Sequence, residues 1–275
     1  TWRMKYRETL TPDSFYVSLK GLEQWAETTD KPMDRAVLNS LIAGIYADYA
    51  SSNRWQIRQR TNIVDEAPSS DIREWSSNMF VQQVMKYTAG SLQDTGLLLN
   101  TSSRIYIPFV KLGDTSEYYH HDMLHLLGSR GVDALNNVMG LDKDSVVQTS
   151  VENVYLGMLD AYEKAGMDDG YVLCKLDYLN WKRNSDPTFV PYRAPQNLIG
   201  LTQDPYLAGL DKLKADFKSH NVCAEVYLAK ARYAVEKQQQ VMALQICDEA
   251  IRLYPDYKRI NALKNLKQEI LNPAL

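Results

Sequence analysis

The run His121-Asp122-Met123-Leu124-His125 combines side chains able to do chemistry at a recognisable spacing. Two imidazoles four residues apart on a helix share a face and can hold zinc, with an intervening carboxylate as general base, as in zincin-type peptidases. Here the acid is Asp122, shorter than the usual glutamate, so it reaches less far toward a metal-bound water. No third protein ligand stands out, and His220 lies in a different helical region. The pair therefore reads first as a surface or helix-start histidine cluster, with a zinc metalloenzyme as the lesser alternative. Asp168-Asp169 reads as helix caps or solvated charge in a turn rather than an acid/base couple.

Other reactive patterns are missing. Cys174, Cys223 and Cys247 are odd in number, widely spaced and without C-x-x-C pairing, so buried free thiols are expected rather than a disulfide framework or zinc ribbon. The sequence has no G-x-S-x-G elbow, Walker A loop or G-x-G-x-x-G fingerprint. No catalytic residue, cofactor site or metal site is assigned.

Aromatic residues offer a different chemistry. Eighteen Tyr accompany 5 Trp and 5 Phe. A tyrosine can fill a helical core with its ring while its hydroxyl finds a partner, so packing accounts for most of them. Trp181, Tyr192 and Tyr206, near a proline-rich stretch, are the candidate interaction surface, an aromatic platform for a glycan or a peptide. On that ground a carbohydrate-binding helical-repeat protein of an outer-membrane uptake system is the alternative function.

The elements that must position these groups are helical. Met33 to Ser52 repeats Val37, Leu38, Leu41, Ile42, Ile45, Tyr46 and Tyr49 on one face, with Pro32 in the first turn. Thr11-Pro12-Asp13 opens a helix burying Phe15, Leu19, Leu22 and Trp25 or Ala26. Ser70-Asp71 opens another that runs through Ile72, Trp75 and Met79 to Tyr87. Arg54 to Ser69 reads as a loop, and Ile105 to Val110, interrupted by Pro108, as an extended connector. Helical spacing then returns over Glu117–Val138, Asp144–Ala165 and Tyr171–Asn184, the last two joined by a turn at Gly166 to Gly170.

Pro187, Pro191 and Pro195 disfavour a continuous helix and mark a boundary, giving lobes 1–187 and 188–275, packed separately or as one continuous domain. Four helices follow, over Pro205–Lys218, Val222–Lys237, Val241–Tyr254 and Lys258–Leu271. The fold class expected is all-α, an array of helical hairpins in the manner of an α-solenoid.

At 275 residues with 45% hydrophobic and 24% charged side chains, the chain has ample material for a core. Its net charge of −3 shows no clustered basic excess, so nucleic acid is not an expected partner. Apolar runs are only a few residues long, too short to cross a bilayer. Residue 1 is Thr without a signal-like segment, so a mature or shortened chain is expected, any targeting signal having been removed.

Two resemblances follow from particular residues. In Ala243-Leu244-x-x-Cys247-x-x-Ala250-Ile251-x-x-Tyr254-Pro255, small residues recur seven apart and a proline ends the helix. This resembles the second helix of a tetratricopeptide repeat; Leu228, Ala229 and Tyr233 match its first helix less well, because the gap from Ala229 to Ala243 is long. More widely, Asn53-Arg54-Trp55, Arg60-Thr61, Asp71-Ile72-x-x-Trp75, Glu117-Tyr118-Tyr119, Leu126-Leu127 and Arg130-x-x-Asp133 resemble the N-terminal helical region of bacterial alpha-2-macroglobulin-like proteins.

Glu117-Tyr118-Tyr119, Leu126-Leu127 and Arg130-x-x-Asp133 sit where that family has a tyrosine-rich entry into a helix with a Leu-Ala-His-Arg-Ala-Leu-Asp core; here Gly128 and Ser129 replace the small residue and the His, so no role for that His carries over. The ending Ile270 to Leu275 is similar to the stretch before the family's first β-sandwich. The resemblance implies a non-enzymatic scaffold or protein-interaction region in a protease-inhibitor, cell-envelope context, docking a protein segment or other domains of the parent chain. It implies a periplasmic or membrane-anchored location. The family's thioester chemistry is not expected here, since no Cys lies in a C-x-E-Q sequence.

Overall fold

The computed structural model describes residues 12–60, 71–106, 121–142, 144–186, 189 and 204–272. Among these the chain is an all-α array of helical hairpins, with twelve α-helices and no strand. One isolated antiparallel bridge joins Ser102 to Asp122. No helix among the described residues is long and apolar enough to cross a membrane. Contacts divide the described residues into two units, one ending at Ala161 and the other beginning at Tyr162.

The first unit is built around α2 (Pro32–Ser52), which packs on α1 (Pro12–Thr28), α4 (Ser77–Ser91) and α6 (Met123–Val138). Pro32 sits in the first turn, where its missing N–H costs nothing. Small residues Ala36, Ser40, Ala43, Ala47 and Ala50 form one buried seam along α2, and Leu38, Ile42 and Tyr46 form a bulkier one beside it. Ser40 accepts a hydrogen bond from Arg130 Nε of α6 at 3.1 Å.

The bulky seam meets an aromatic cluster. Tyr46 stacks on Trp75 with centroids 5.2 Å apart, and Tyr49 bridges Phe15 and Phe80 at 5.9 and 5.7 Å. Burying each such ring contributes about 1.5–3 kcal/mol. Neighbouring positions on α6 come close to two other helices at glycines. A Cβ on Gly128 would run into Met158 Sδ of α7 (Asp144–Ala165), and one on Gly131 would lie 2.8 Å from Thr88 Cγ2 of α4.

Local order departs from the sequence expectation in three places. Residues 72–74 form a short 3-10 turn capped by Asp71, and Trp75 is extended (φ −68°, ψ 138°) before α4 begins. The helix opened by Asp71 therefore does not run through to Tyr87. Its break is held by Arg60, which donates to the Trp75 carbonyl at 2.8 Å. Within the expected loop after Arg54 lies a short helix, α3 (Arg54–Arg58). The supposed extended connector begins with a 3-10 turn, Ser103–Tyr106. A short α5 (Thr95–Leu99) precedes it, capped by Asp94.

The second unit contains α8 (Asp168–Ser185), α9 (Pro205–Asp216), α10 (Cys223–Glu236), α11 (Gln240–Leu253) and α12 (Ile260–Leu271). Its buried core runs from Val172, Leu173, Leu176 and Leu179 of α8 through Leu210 and Leu213 to Val226, Ala231, Cys247, Ala250 and Leu263. Because α8 shares this core, the described contacts place it with the C-terminal helices, ahead of the boundary expected at Pro187. Asp168 and Asp169 belong to the first turn of α8, where acidic side chains favour the helix N-terminus. Between α10 and α11 the chain turns at Gln238, whose φ is +59°.

Candidate functional site

The histidine pair does not share a helix face. Asp122 is the N-cap of α6, accepting from the His125 N–H at 2.6 Å, and His121 lies before it. The His121 carbonyl accepts from Ser103 N at 2.6 Å, beside the Ser102–Asp122 bridge. Asp122 is thus a buried cap that fixes a chain crossing. Among the described residues no group of three His, Cys, Asp or Glu side chains is placed to hold a metal ion.

None of the three cysteines is in a disulfide, and all are buried. Burial pushes the Cys247 thiol up to about 11 and raises that of Cys223, which keeps both protonated and unreactive near neutrality. Of the aromatic trio, Trp181 and Tyr206 are buried, at 9% and 4% exposure, so neither presents an open face for a sugar. Tyr206 instead donates to Asn180 Oδ1 at 2.7 Å, and its ring lies 5.2 Å from that of Tyr233. Tyr192 lies outside the described residues.

Tyrosine hydroxyls repeatedly find carboxylates on another helix. Tyr46 and Tyr87 both donate to Glu23 Oε1, at 2.5 and 2.9 Å. Tyr227 donates to Glu249, Tyr257 to Glu225 and Tyr233 to Asp204. Glu23 also pairs with Lys20 at 2.8 Å. Burial alone would raise its pKa, but the hydrogen bonds from Lys20, Tyr46 and Tyr87 outweigh that and hold it below the usual range. This is a satisfied buried network, a joint between α1, α2 and α4.

A more open arrangement lies in the second unit, where α8 and α10 face one another across a groove of about 360 Å³. Its floor is apolar, from Leu173 and Leu176 on α8 and Leu228 and Ala229 on α10. The polar residues follow the same helical period: Asp177, Asn180 and Arg183 on α8, and Glu225, Arg232 and Glu236 on α10. Arg259, just before α12, also lines it.

Both ends of the groove are tied. Arg183 pairs with Glu236, and its guanidinium lies 5.0 and 4.7 Å from the ring centroids of Tyr206 and Tyr233. At the other end, Glu225 is 7% exposed, accepts from Tyr257 at 3.0 Å and pairs with Arg259 at 3.3 Å. Burial raises the Glu225 pKa even though Arg259 opposes it. Between these ties stand Asp177 and Arg232. Among the described residues neither makes a hydrogen bond or ion pair. Burial alone pushes the Asp177 carboxyl up to about 6.

The polar side of this groove escaped the sequence reading, which took residues 171–184 and 222–237 only as stretches of helical spacing. One signal was present: Asp177 follows Leu173 and Leu176 on a stripe that turns inward, a position where a carboxylate is costly without a reason.

The chain matches no protein-family model, no curated protein and no solved structure.

Proposed function

We propose that this chain is a non-enzymatic scaffold and protein-docking region, the N-terminal helical part of a bacterial alpha-2-macroglobulin-like protein of the cell envelope. The supporting observation is what the resemblance-bearing residues do. Arg54 reaches from α3 to the end of α6, donating to the carbonyls of Met139 and Asn137 at 2.5 and 2.7 Å. Arg60 fixes the Trp75 carbonyl, Trp75 packs on Tyr46, and Arg130 joins α6 to α2. Each of these groups joins one helical segment to another. Side chains spent on joining helices are what a scaffold asks for.

The C-terminal helices favour stacking of tetratricopeptide type. Ala231, Ala243, Cys247 and Ala250 are fully buried, which lets α10 and α11 approach closely, and Pro255 follows α11. Ala231 is the small residue of the first helix; it lies 12 positions before Ala243 (243 − 231), against 14 from Ala229 (243 − 229), which removes part of the mismatch in the repeat. In this reading the α8–α10 groove belongs to an α-solenoid surface that receives a protein segment or another domain of the parent, in a protease-inhibitor context, in the periplasm or at a membrane anchor.

Two results test it. Sequencing the reading frame beyond Leu275 should reveal macroglobulin-like β-sandwich domains; a frame without them overturns the family assignment. Titrating those domains into this chain should give saturable binding, and its absence overturns the docking role.

A further inference from the structure

The groove between α8 and α10 contains three carboxylates and three guanidiniums, yet only two pairs are made. Glu236 is matched by Arg183 and Glu225 by Arg259. Asp177 and Arg232 are left without a hydrogen bond or ion pair among the described residues. A partly buried carboxylate with no partner loses hydration and gains nothing in return, so folded proteins keep few of them. Asn180 spends its Oδ1 on Tyr206 and keeps its amide N–H groups as donors.

The apolar floor decides what kind of cation fits. Leu173, Leu176, Leu228 and Ala229 form a surface on which a chain of methylenes can lie while a charged head group reaches a carboxylate. Lysine and arginine side chains have this form. Arg232 and the Asn180 amide, on either side, are donors suited to backbone carbonyls or an acidic neighbour of the same segment.

We propose that the groove binds an extended protein segment through a lysine or arginine whose head group pairs with Asp177 and whose methylene stem lies on Leu173, Leu176 and Leu228, with Arg232 and Asn180 holding the adjoining backbone. This rests on the docking role proposed above and specifies its chemistry.

The test is selection of displayed random peptides of about twelve residues against the intact chain, followed by affinity measurement of the selected peptides. Enrichment of Lys or Arg at one position is expected, with affinity falling at least about tenfold when that residue becomes norleucine or when Asp177→Asn replaces the protein carboxylate. Thermal melts check that the variant is folded, and Asp177→Leu serves as a second, non-hydrogen-bonding variant. Peptides that bind with no basic enrichment, or equally well to both variants, overturn the proposal and leave the docking role standing. No selected peptide overturns both. Displacement of the peptide by 1,4-diaminobutane at equal concentration identifies a small-cation site and overturns the peptide assignment. A Lys preference that appears only in Arg232→Gln means that Arg232 already occupies Asp177, and this too overturns it.

Discussion

The Tyr46 hydroxyl donates to Glu23 Oε1 at 2.5 Å, joining α2 to α1 across 23 residues of sequence inside the first unit. Replacing Tyr46 with Phe keeps the ring against Trp75 and removes this donor, leaving the carboxylate to Tyr87 and Lys20. The expected loss is about 1–3 kcal/mol in urea unfolding. The pH dependence has a definite sign. Since the folded pKa of Glu23 lies below its ordinary 4.5, its stabilisation is present above pH 4.5 and fades as pH falls through the folded value. Glu23→Gln should flatten that acid limb, and an unchanged limb would count against the network.

Arg54 holds two carbonyls at the end of α6 with one planar guanidinium. Arg54→Met should lower stability by about 1.5–3 kcal/mol, because carbonyls at a helix end lose a charged donor. Arg54→Lys should restore only part of it, since an ammonium cannot reproduce the fork. Equal stability of Lys and Arg proteins in thermal unfolding would refute the two-carbonyl role.

Gln238 adopts a left-handed backbone conformation, φ +59°, in the turn between α10 and α11. A side chain there crowds the backbone, and glycine does not. Gln238→Gly should therefore stabilise the protein by about 0.5–1 kcal/mol, measured as a higher urea midpoint with unchanged slope.

Asp177 gives the opposite pH behaviour to Glu23. Its carboxyl is raised by burial to about 6 from an ordinary 3.8, so the folded state binds the extra proton between those values and stability declines as pH rises through them. Arg183, Arg232 and Arg259 face the groove, as do Glu225, Glu236 and Asn180, and the first and last of the arginines are engaged by carboxylates. Asp177→Asn should raise stability by about 1–2 kcal/mol at pH 7.5 and by much less at pH 4, allowing for partial solvent screening. An equal gain at both pH values would rule out the buried charge as its source.

The helices were legible where the apolar period is long and a stop signal is local. Pro32 and the repeat from Leu38 to Tyr49 define α2 almost to the residue. The break at Trp75 was not legible, because Ile72, Trp75 and Met79 keep a helical spacing through it. What breaks the chain there is Arg60 binding the Trp75 carbonyl, a contact set by tertiary packing. The histidine spacing misled for a related reason: i,i+4 places two side chains together only if the helix has already begun, and Asp122 starts it one residue too late.

Burial of Trp181 and Tyr206 could not be read from residue type, since both rings serve equally as core or as surface platform. The groove depends on α8 meeting α10, residues 173–183 against 225–236, with a full helix between them in sequence. Each stripe was visible alone; their facing was not.

The tyrosine hydroxyls that reach carboxylates give the folded state an optical signature in alkali. Burial first, and then the proximity of Glu23, pushes the Tyr46 phenol above its ordinary 10; burial and Glu225 do the same for Tyr257, and burial and Asp204 for Tyr233. Phenolate absorbance from these rings stays dark until the helices separate, and the stability they lend disappears as pH climbs beyond 10. In an ultraviolet titration, ionisation of these inner phenols therefore accompanies loss of helix in the unit that holds each of them.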